Sequence, residues 1–296
     1  MVLDFVLPLD TRQGDLIFIF LFSIKVVMIK VTDLATFIYC KRKFYLKNVL
    51  KIKPKITKEM VKGRIKHRVQ ELFFKNELEV LKRVKEPDVK EVKEVLLKNL
   101  KDVVEKALGE SKKEIKFFDI DKELMKKQLT AMYSSFVFNR SAEVVELMKK
   151  KRLFGDALVS VMFPRFIAEV KVSSNDLFLK GRIDLVEEKE DEMVPVELKT
   201  GNPPKQGIWT SDRIQLTAYA LLARESFNKE VNYAKLVYLA KNKEVKLFLN
   251  PFMEYEIRTL VGKIKELLGS KKIPPVLDSR KCRFCSLREY CDSRKL

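Results

Sequence analysis

The apolar positions of this chain keep helical spacing over its first half and then shift to alternation. Thr32 and Asp33 can cap a short helix that carries Tyr39 and Cys40, with the basic run Lys41–Lys43 after it. Thr57 can cap a second helix through Phe74, whose inward stripe is Val61, Ile65, Val69 and Leu72. Val92, Val95, Leu96, Leu100, Val103, Val104 and Leu108 share one face of a third helix that ends at Gly109. Asp121 opens a fourth, with Leu124, Met125, Met132, Tyr133 and Phe136 turned inward. Stripes of this kind are the mark of core packing.

Past residue 150 the pattern favours strands: Ala157–Phe163, Phe166–Val172, Leu177–Val186 and Met193–Leu198. Pro164, Ser173-Ser174-Asn175 and the acidic turn Glu188–Glu192 separate them. Ser211–Ser226 reads as a helix, Tyr233–Ala240 and Val245–Leu249 as two more strands. Asn250-Pro251 is a cap and first-turn pair for a last helix reaching about Leu268. This order predicts an α/β chain (an α+β mixed sheet) flanked by helices and followed by a cysteine-bearing tail. Five segments are expected: 1–27, 28–74, a charged helical insertion at 75–150, a core at 151–270, and the tail at 271–296. There is no internal repeat.

The two central strands carry the chemistry. Alternation puts Ile183 and Leu185 on one face and Arg182 and Asp184 on the other, while Val196 and Leu198 lie opposite Glu197 and Lys199. A hairpin centred on Glu190-Asp191 sets Asp184 directly across from Glu197. Facing carboxylates repel unless a cation lies between them, and a hard ion such as Mg2+ or Mn2+ fits such oxygens. Lys199 points to the same place, where an ammonium can steady developing negative charge. Gly63, His67 and Glu71 recur at four-residue intervals on the helix face opposite the apolar stripe. Gly63 there would allow another segment to approach closely. Gln215 and Tyr219, one turn apart, can face a common cleft.

Charge narrows the partner. Sixty Lys and Arg against forty-one Asp and Glu give a formal +19, a surplus that favours a polyanion, with nucleic acid first. Arg182, Lys205, Arg213 and Lys41–Lys43 are candidate phosphate contacts, and Phe44, Tyr45 and Trp209 candidate stacking residues, with core packing the competing role for Phe44 and Tyr45. The apolar run Leu16–Ile29 is broken by Lys25 and lacks the flanks of a signal peptide. The segment 1–27 is therefore expected to be a loosely attached extension, or to precede a start at Met28, and not a membrane anchor. A cytoplasmic protein is expected.

The four cysteines are Cys40 and a terminal C-x2-C-x5-C of Cys282, Cys285 and Cys291. A Cys282–Cys285 disulfide would close a very tight loop. Four thiolates so arranged suit a tetrahedral zinc or an iron–sulfur cluster that ties the chain ends together.

In order along the chain, Gly63-x3-His67, the GRID of Gly181–Asp184, the VELKTG of Val196–Gly201 and Gln215-x3-Tyr219 resemble the motifs of RecB-type nucleases of the PD-(D/E)xK fold. With the bracketing cysteines, the chain from about Met28 onward resembles the CRISPR-associated exonuclease family called Cas-four. The resemblance implies His67, Asp184 and Glu197 as metal ligands, with the backbone carbonyl of Leu198. It implies Lys199 as catalytic lysine, Gln215 and Tyr219 as residues positioning the site or DNA, and a [4Fe–4S] cluster on Cys40, Cys282, Cys285 and Cys291. The implied activity is Mg2+- or Mn2+-dependent exonuclease cleavage of single-stranded or frayed DNA, trimming fragments for a CRISPR integrase. A second copy of the chain is a further candidate partner. A stand-alone recombination or repair nuclease, or a zinc-stapled nucleic-acid-binding protein without catalysis, are the competing readings. The helical zone at 75–150 is longer than such compact nucleases need.

Overall fold

One strand organises the sheet. In the computed structural model, which describes residues 28–199, 203–241, 243–270 and 272–291, β3 (Leu179–Glu188) pairs along one edge with β2 (Arg165–Ser174), antiparallel. Its other edge is shared. β1 (Ile29–Lys30) runs parallel to Leu179 and Lys180, and β4 (Met193–Lys199) pairs antiparallel from Leu185↔Val196 to Glu188↔Met193. Residues 181–184 fall between those two partners, so the sheet forks there. β4 continues to β5 (Tyr233–Tyr238) in parallel, and β5 to the edge strand β6 (Lys243–Phe248) antiparallel. The segment 1–27 lies outside the described residues. No described helix is long and apolar enough to cross a membrane.

Helices cover both faces. α1 (Val31–Tyr39) and α2 (Lys41–Asn48) follow β1; α3 (Lys58–Leu81), α4 (Val89–Glu110), α5 (Lys112–Phe117), α6 (Lys122–Lys151) and α7 (Gly155–Val161) precede β2. α8 (Thr210–Ser226) links β4 to β5, and α9 (Pro251–Gly269) and the short α10 (Arg288–Cys291) close the chain. The expected caps form: Thr57, Asp121 and Asn250 accept from the amides of Met60, Leu124 and Met253 at 3.3, 2.8 and 3.1 Å. α1 departs from expectation. It begins at Val31 without a side-chain cap, because Asp33 is buried and accepts instead from Lys47 and Asn48.

Two apolar cores flank the sheet. One joins α3, α4 and α6 to Leu185, Val196 and Leu198; the other joins α1, α8 and α9 to Ile183, Val186 and Leu236. The charged helical zone thus shares its core with one sheet face, and α3 runs unbroken past residue 74. Ile183 and Leu185 therefore do not share a face: strict alternation is lost at Asp184. Ala157–Phe163 is not a strand, since residues 155–161 form α7, anchored by the buried Leu158. Leu124 is exposed, and Met125, Leu129 and Tyr133 take the inward positions of α6. Where the helical layer meets β2, the buried Arg140 donates to Glu77 at 2.6 Å and to the carbonyl of Pro164 at 2.7 Å.

Candidate active site

The β3–β4 ladder stops at Leu185↔Val196, and one further step of the same register sets Asp184 opposite Glu197. Both carboxylates are nearly buried at the fork and border a cavity of about 890 Å³ that His67, Glu169, Gln215 and Tyr219 also line. Asp184 Oδ2 accepts from the Leu198 amide at 3.4 Å. Glu197 Oε1 accepts from Gln215 Nε2 at 2.7 Å and Lys199 Nζ at 3.0 Å, whereas its Oε2 is buried with no partner among the described residues. An orphaned carboxylate oxygen of this kind is costly unless a cation takes it.

The charges agree. Burial pushes the Asp184 carboxyl up to about 6, against the Leu198 amide and Lys199, which pull it down. Burial and then Asp184 push Glu197 up to about 7. Burial works against the charge of Lys199, but Glu197 and Asp212 outweigh it and hold its pKa above the ordinary value, so it stays an ammonium. Lys199 Nζ also donates to Gln215 Oε1 at 3.2 Å and lies 3.5 Å from Asp212. Gln215 thus locks acid and lysine in one geometry.

His67, half-exposed on α3, places Nδ1 3.6 Å from Asp184 Oδ1. Among the described residues, the group whose ligand atoms all lie within 4.8 Å of one another is His67, Asp184 and Glu169. Glu169 is a residue that sequence reasoning missed. It lies on β2, across from Asp184, and only the pairing of β2 with β3 could have flagged it. Leu198 turns its side chain into the helical core and offers its amide to Asp184. The donor set of imidazole and carboxylates, with one free buried oxygen, fits a hard or borderline divalent cation.

Tyr219 rests on Gly181: a Cβ there would lie 2.6 Å from Tyr219 Cε1 and 3.1 Å from Val31 Cγ2. Burial raises the Tyr219 phenol, with Glu197 and Asp184 adding to it, so it remains protonated. Gly181→Ala forces the ring off the strand; the expected cost is about 1–3 kcal/mol, read as a lowered Tm in thermal melts. Gly63 has nothing within 4 Å of an added Cβ, so no described segment makes the close approach expected there.

The cavity wall is basic. Lys30, Arg64, Arg68, Lys171, Lys180 and Arg182 reach it from four different elements, a convergence that sequence could not show; of these, Arg68 is paired with Glu110 and Glu71 and Arg64 with Glu114. Of the expected phosphate contacts, Arg213 is held by Glu256 through two 2.6 Å bonds. Arg42 donates to the carbonyls of Pro274 and Cys291 at 2.8 and 2.9 Å. Those two arginines serve the fold, while Lys205 is exposed. Phe44 and Tyr45 are buried; Trp209 is half-exposed before α8.

All four cysteines line a second cavity of about 420 Å³ and none is in a disulfide. Cys40 ends α1 and caps α2 through its sulfur. Burial raises the Tyr39 phenol, with Cys285, Cys282 and Cys40 contributing in turn, and Tyr39 donates to the Lys281 carbonyl at 3.1 Å. Four cysteines in one pocket, ringed by Lys41, Lys43 and Lys281, suit a thiolate-bound, net-anionic group.

The profile of the PD-(D/E)XK nuclease superfamily matches residues 30–292. The chain belongs to that superfamily. A CRISPR-associated exonuclease Cas4/endonuclease Cas1 fusion of Myxococcus xanthus is 33% identical over 128 residues, 42% of this chain and 22% of the fusion. A CRISPR-associated exonuclease Cas4 of Rhodospirillum rubrum is 31% identical over 127 residues, 42% of this chain and 38% of the relative. Another Cas4, from Francisella tularensis subsp. novicida, is 27% identical over 151 residues, 51% of this chain and 74% of the relative. The chain thus spans about a fifth of the fusion and under two fifths of the Rhodospirillum protein. The shared name of these relatives supports the Cas4 family as its branch of the superfamily.

Proposed function

We propose that the protein is a divalent-metal-dependent DNA exonuclease that acts on single strands or frayed ends. The observation that carries this reading is Glu197, with one oxygen tied to Lys199 and Gln215 and the other buried and unpartnered beside Asp184. His67, Asp184 and Glu197 would hold Mg2+ or Mn2+, with Leu198 contributing its carbonyl, and Glu169 stands within reach of the same group. A divalent cation so held activates water and polarises the scissile phosphate. Lys199 keeps its proton and presents positive charge where the pentavalent phosphorus gathers negative charge. Gln215 holds Lys199 and Glu197 in register. Tyr219, packed against Gly181, would shape the floor on which the strand rests, and the basic wall would take flanking phosphates.

The four cysteines would hold a [4Fe–4S] cluster with a structural role, clamping the tail to α1 and α2. Relatives whose names join exonuclease Cas4 to endonuclease Cas1 support a Cas1-type partner and a place in trimming DNA for spacer acquisition. The test of the core reading is digestion of end-labelled single-stranded DNA with Mn2+, by wild type and Lys199→Ala. Wild type should shorten the label stepwise, and the variant should cleave about 10²–10³-fold more slowly while still binding DNA. Intact label after prolonged incubation of folded wild type with either metal sinks the assignment.

A further inference from the structure

Glu169 is the sole non-glycine residue within the described strands held at a left-handed backbone angle, φ 60°. A side chain with a Cβ resists that conformation, and such outliers gather where a site demands them. Here the consequence is visible. The β2–β3 ladder passes from Ala168↔Leu185 to Val170↔Ile183 without a Glu169–Asp184 pair. The Glu169 carboxylate joins Asp184 and His67 within 4.8 Å. Its side chain is 12% exposed, and close by lies the buried, unpartnered Oε2 of Glu197. The counter-ion of Glu169 is Arg182, two residues before Asp184 on β3, with Nε 2.6 Å from Glu169 Oε2 and a side chain 64% exposed.

We propose that Glu169 is a ligand of the divalent cation and that Arg182 is exchanged when the cation arrives. In the metal-free chain the guanidinium neutralises Glu169. A doubly charged ion shared by Glu169, Asp184 and His67 displaces it, because hard carboxylate oxygens favour the denser charge. Arg182, released at the cavity mouth, then takes a phosphate of the DNA strand, the other anion its planar fork fits. Metal loading thereby switches on the grip on substrate. The exchange rests on the nuclease reading above and adds to it an order of events.

The test measures Mn2+ binding by the spin-resonance signal of the free ion, without DNA, in wild type, Asp184→Asn, Glu169→Gln and Arg182→Gln. Single-stranded DNA binding is then followed by fluorescence anisotropy, with and without Mn2+, in a Lys199→Ala background that spares the probe. Glu169→Gln should weaken Mn2+ binding about 10–100-fold. Arg182→Gln should tighten Mn2+ binding, since the competing guanidinium is gone. It should also lose the Mn2+-induced gain in DNA affinity and lower the salt slope by about one. Unaltered Mn2+ affinity in Glu169→Gln, or unaltered or weaker Mn2+ binding in Arg182→Gln, overturns the exchange. Asp184→Asn separates the two ideas: if it too binds Mn2+ like wild type, the nuclease reading of the cavity falls with it. Thermal melts check folding, and should Glu169→Gln fail to fold, Glu169→Asp is measured in its place.

Discussion

Asp184→Asn is expected to abolish DNA cleavage and at the same time make the metal-free protein more stable. The loss follows from removing the carboxylate that stands between His67, Glu169 and Glu197. About 4 kcal/mol of transition-state stabilisation is at stake, roughly a thousandfold in rate. The gain follows from linkage. Burial raises Asp184 to about 6 and Glu197 to about 7, so the folded chain holds protons that the unfolded chain releases from about pH 4 upward. More protons in the native state means that stability falls as pH rises through that window. Asparagine carries no charge to bury and relieves Glu197 of its neighbour. At pH 8 the variant should be more stable by about 1–3 kcal/mol, which corresponds to a Tm higher by about 2–4 °C per kcal/mol. Near pH 4.5 the two melts should nearly coincide. Mn2+ should raise the wild-type melt at pH 8 and leave the variant unmoved. A variant that melts below wild type at pH 8 in the absence of metal contradicts the account.

Cys40→Ala should have the second large effect, at the cysteine-lined cavity. Described residues 272–291 contain only one short helix and a single 3₁₀ turn, Arg280–Phe284. Their ties to the body include Arg42 to the carbonyls of Pro274 and Cys291, Tyr39 to that of Lys281, the Lys55–Glu289 ion pair, and the buried Leu287. A bound cluster would add substantially to what orders this tail, since site-forming metal groups contribute on the order of 10 kcal/mol to folding. Removing one thiolate should cost the iron and acid-labile sulfide, the brown colour, and the resistance of the tail to trypsin. Measured iron content and digestion time courses read this directly. Cys285→Ser should behave alike. Stoichiometric zinc in place of iron would replace the cluster with a metal staple, and a tail equally resistant in wild type and Cys40→Ala would deny either role.

Much of the site was legible because it lies on one hairpin. The acidic turn Glu188–Glu192 fixes a two-strand register, and register alone puts Asp184 across from Glu197 and Lys199 beside it. Caps at Thr57, Asp121 and Asn250 were legible for a similar reason, being purely local. What was hidden depends on the third dimension. Glu169 is distant in sequence from His67 and in a backbone conformation that no residue pattern announces. The basic wall is assembled from β1, α3, β2 and β3, each contributing one or two cations that alone look like surface charge. Ala157–Phe163 reads as a strand because Val159, Val161 and Phe163 favour one, yet Leu158 finds its burial against the helical layer and residues 155–161 coil. Leu124 was misassigned because two apolar neighbours, Leu124 and Met125, compete for one inward position and packing chose the second.

The helix α1 starts at the lip of the nuclease cavity, where Lys30, Val31 and Thr32 stand, and stops against Cys40. Nine residues of helix make a stiff strut of roughly 13 Å. The cysteine pocket and the acidic cavity are therefore two ends of one short beam, held in place by the buried Val31, Leu34 and Phe37.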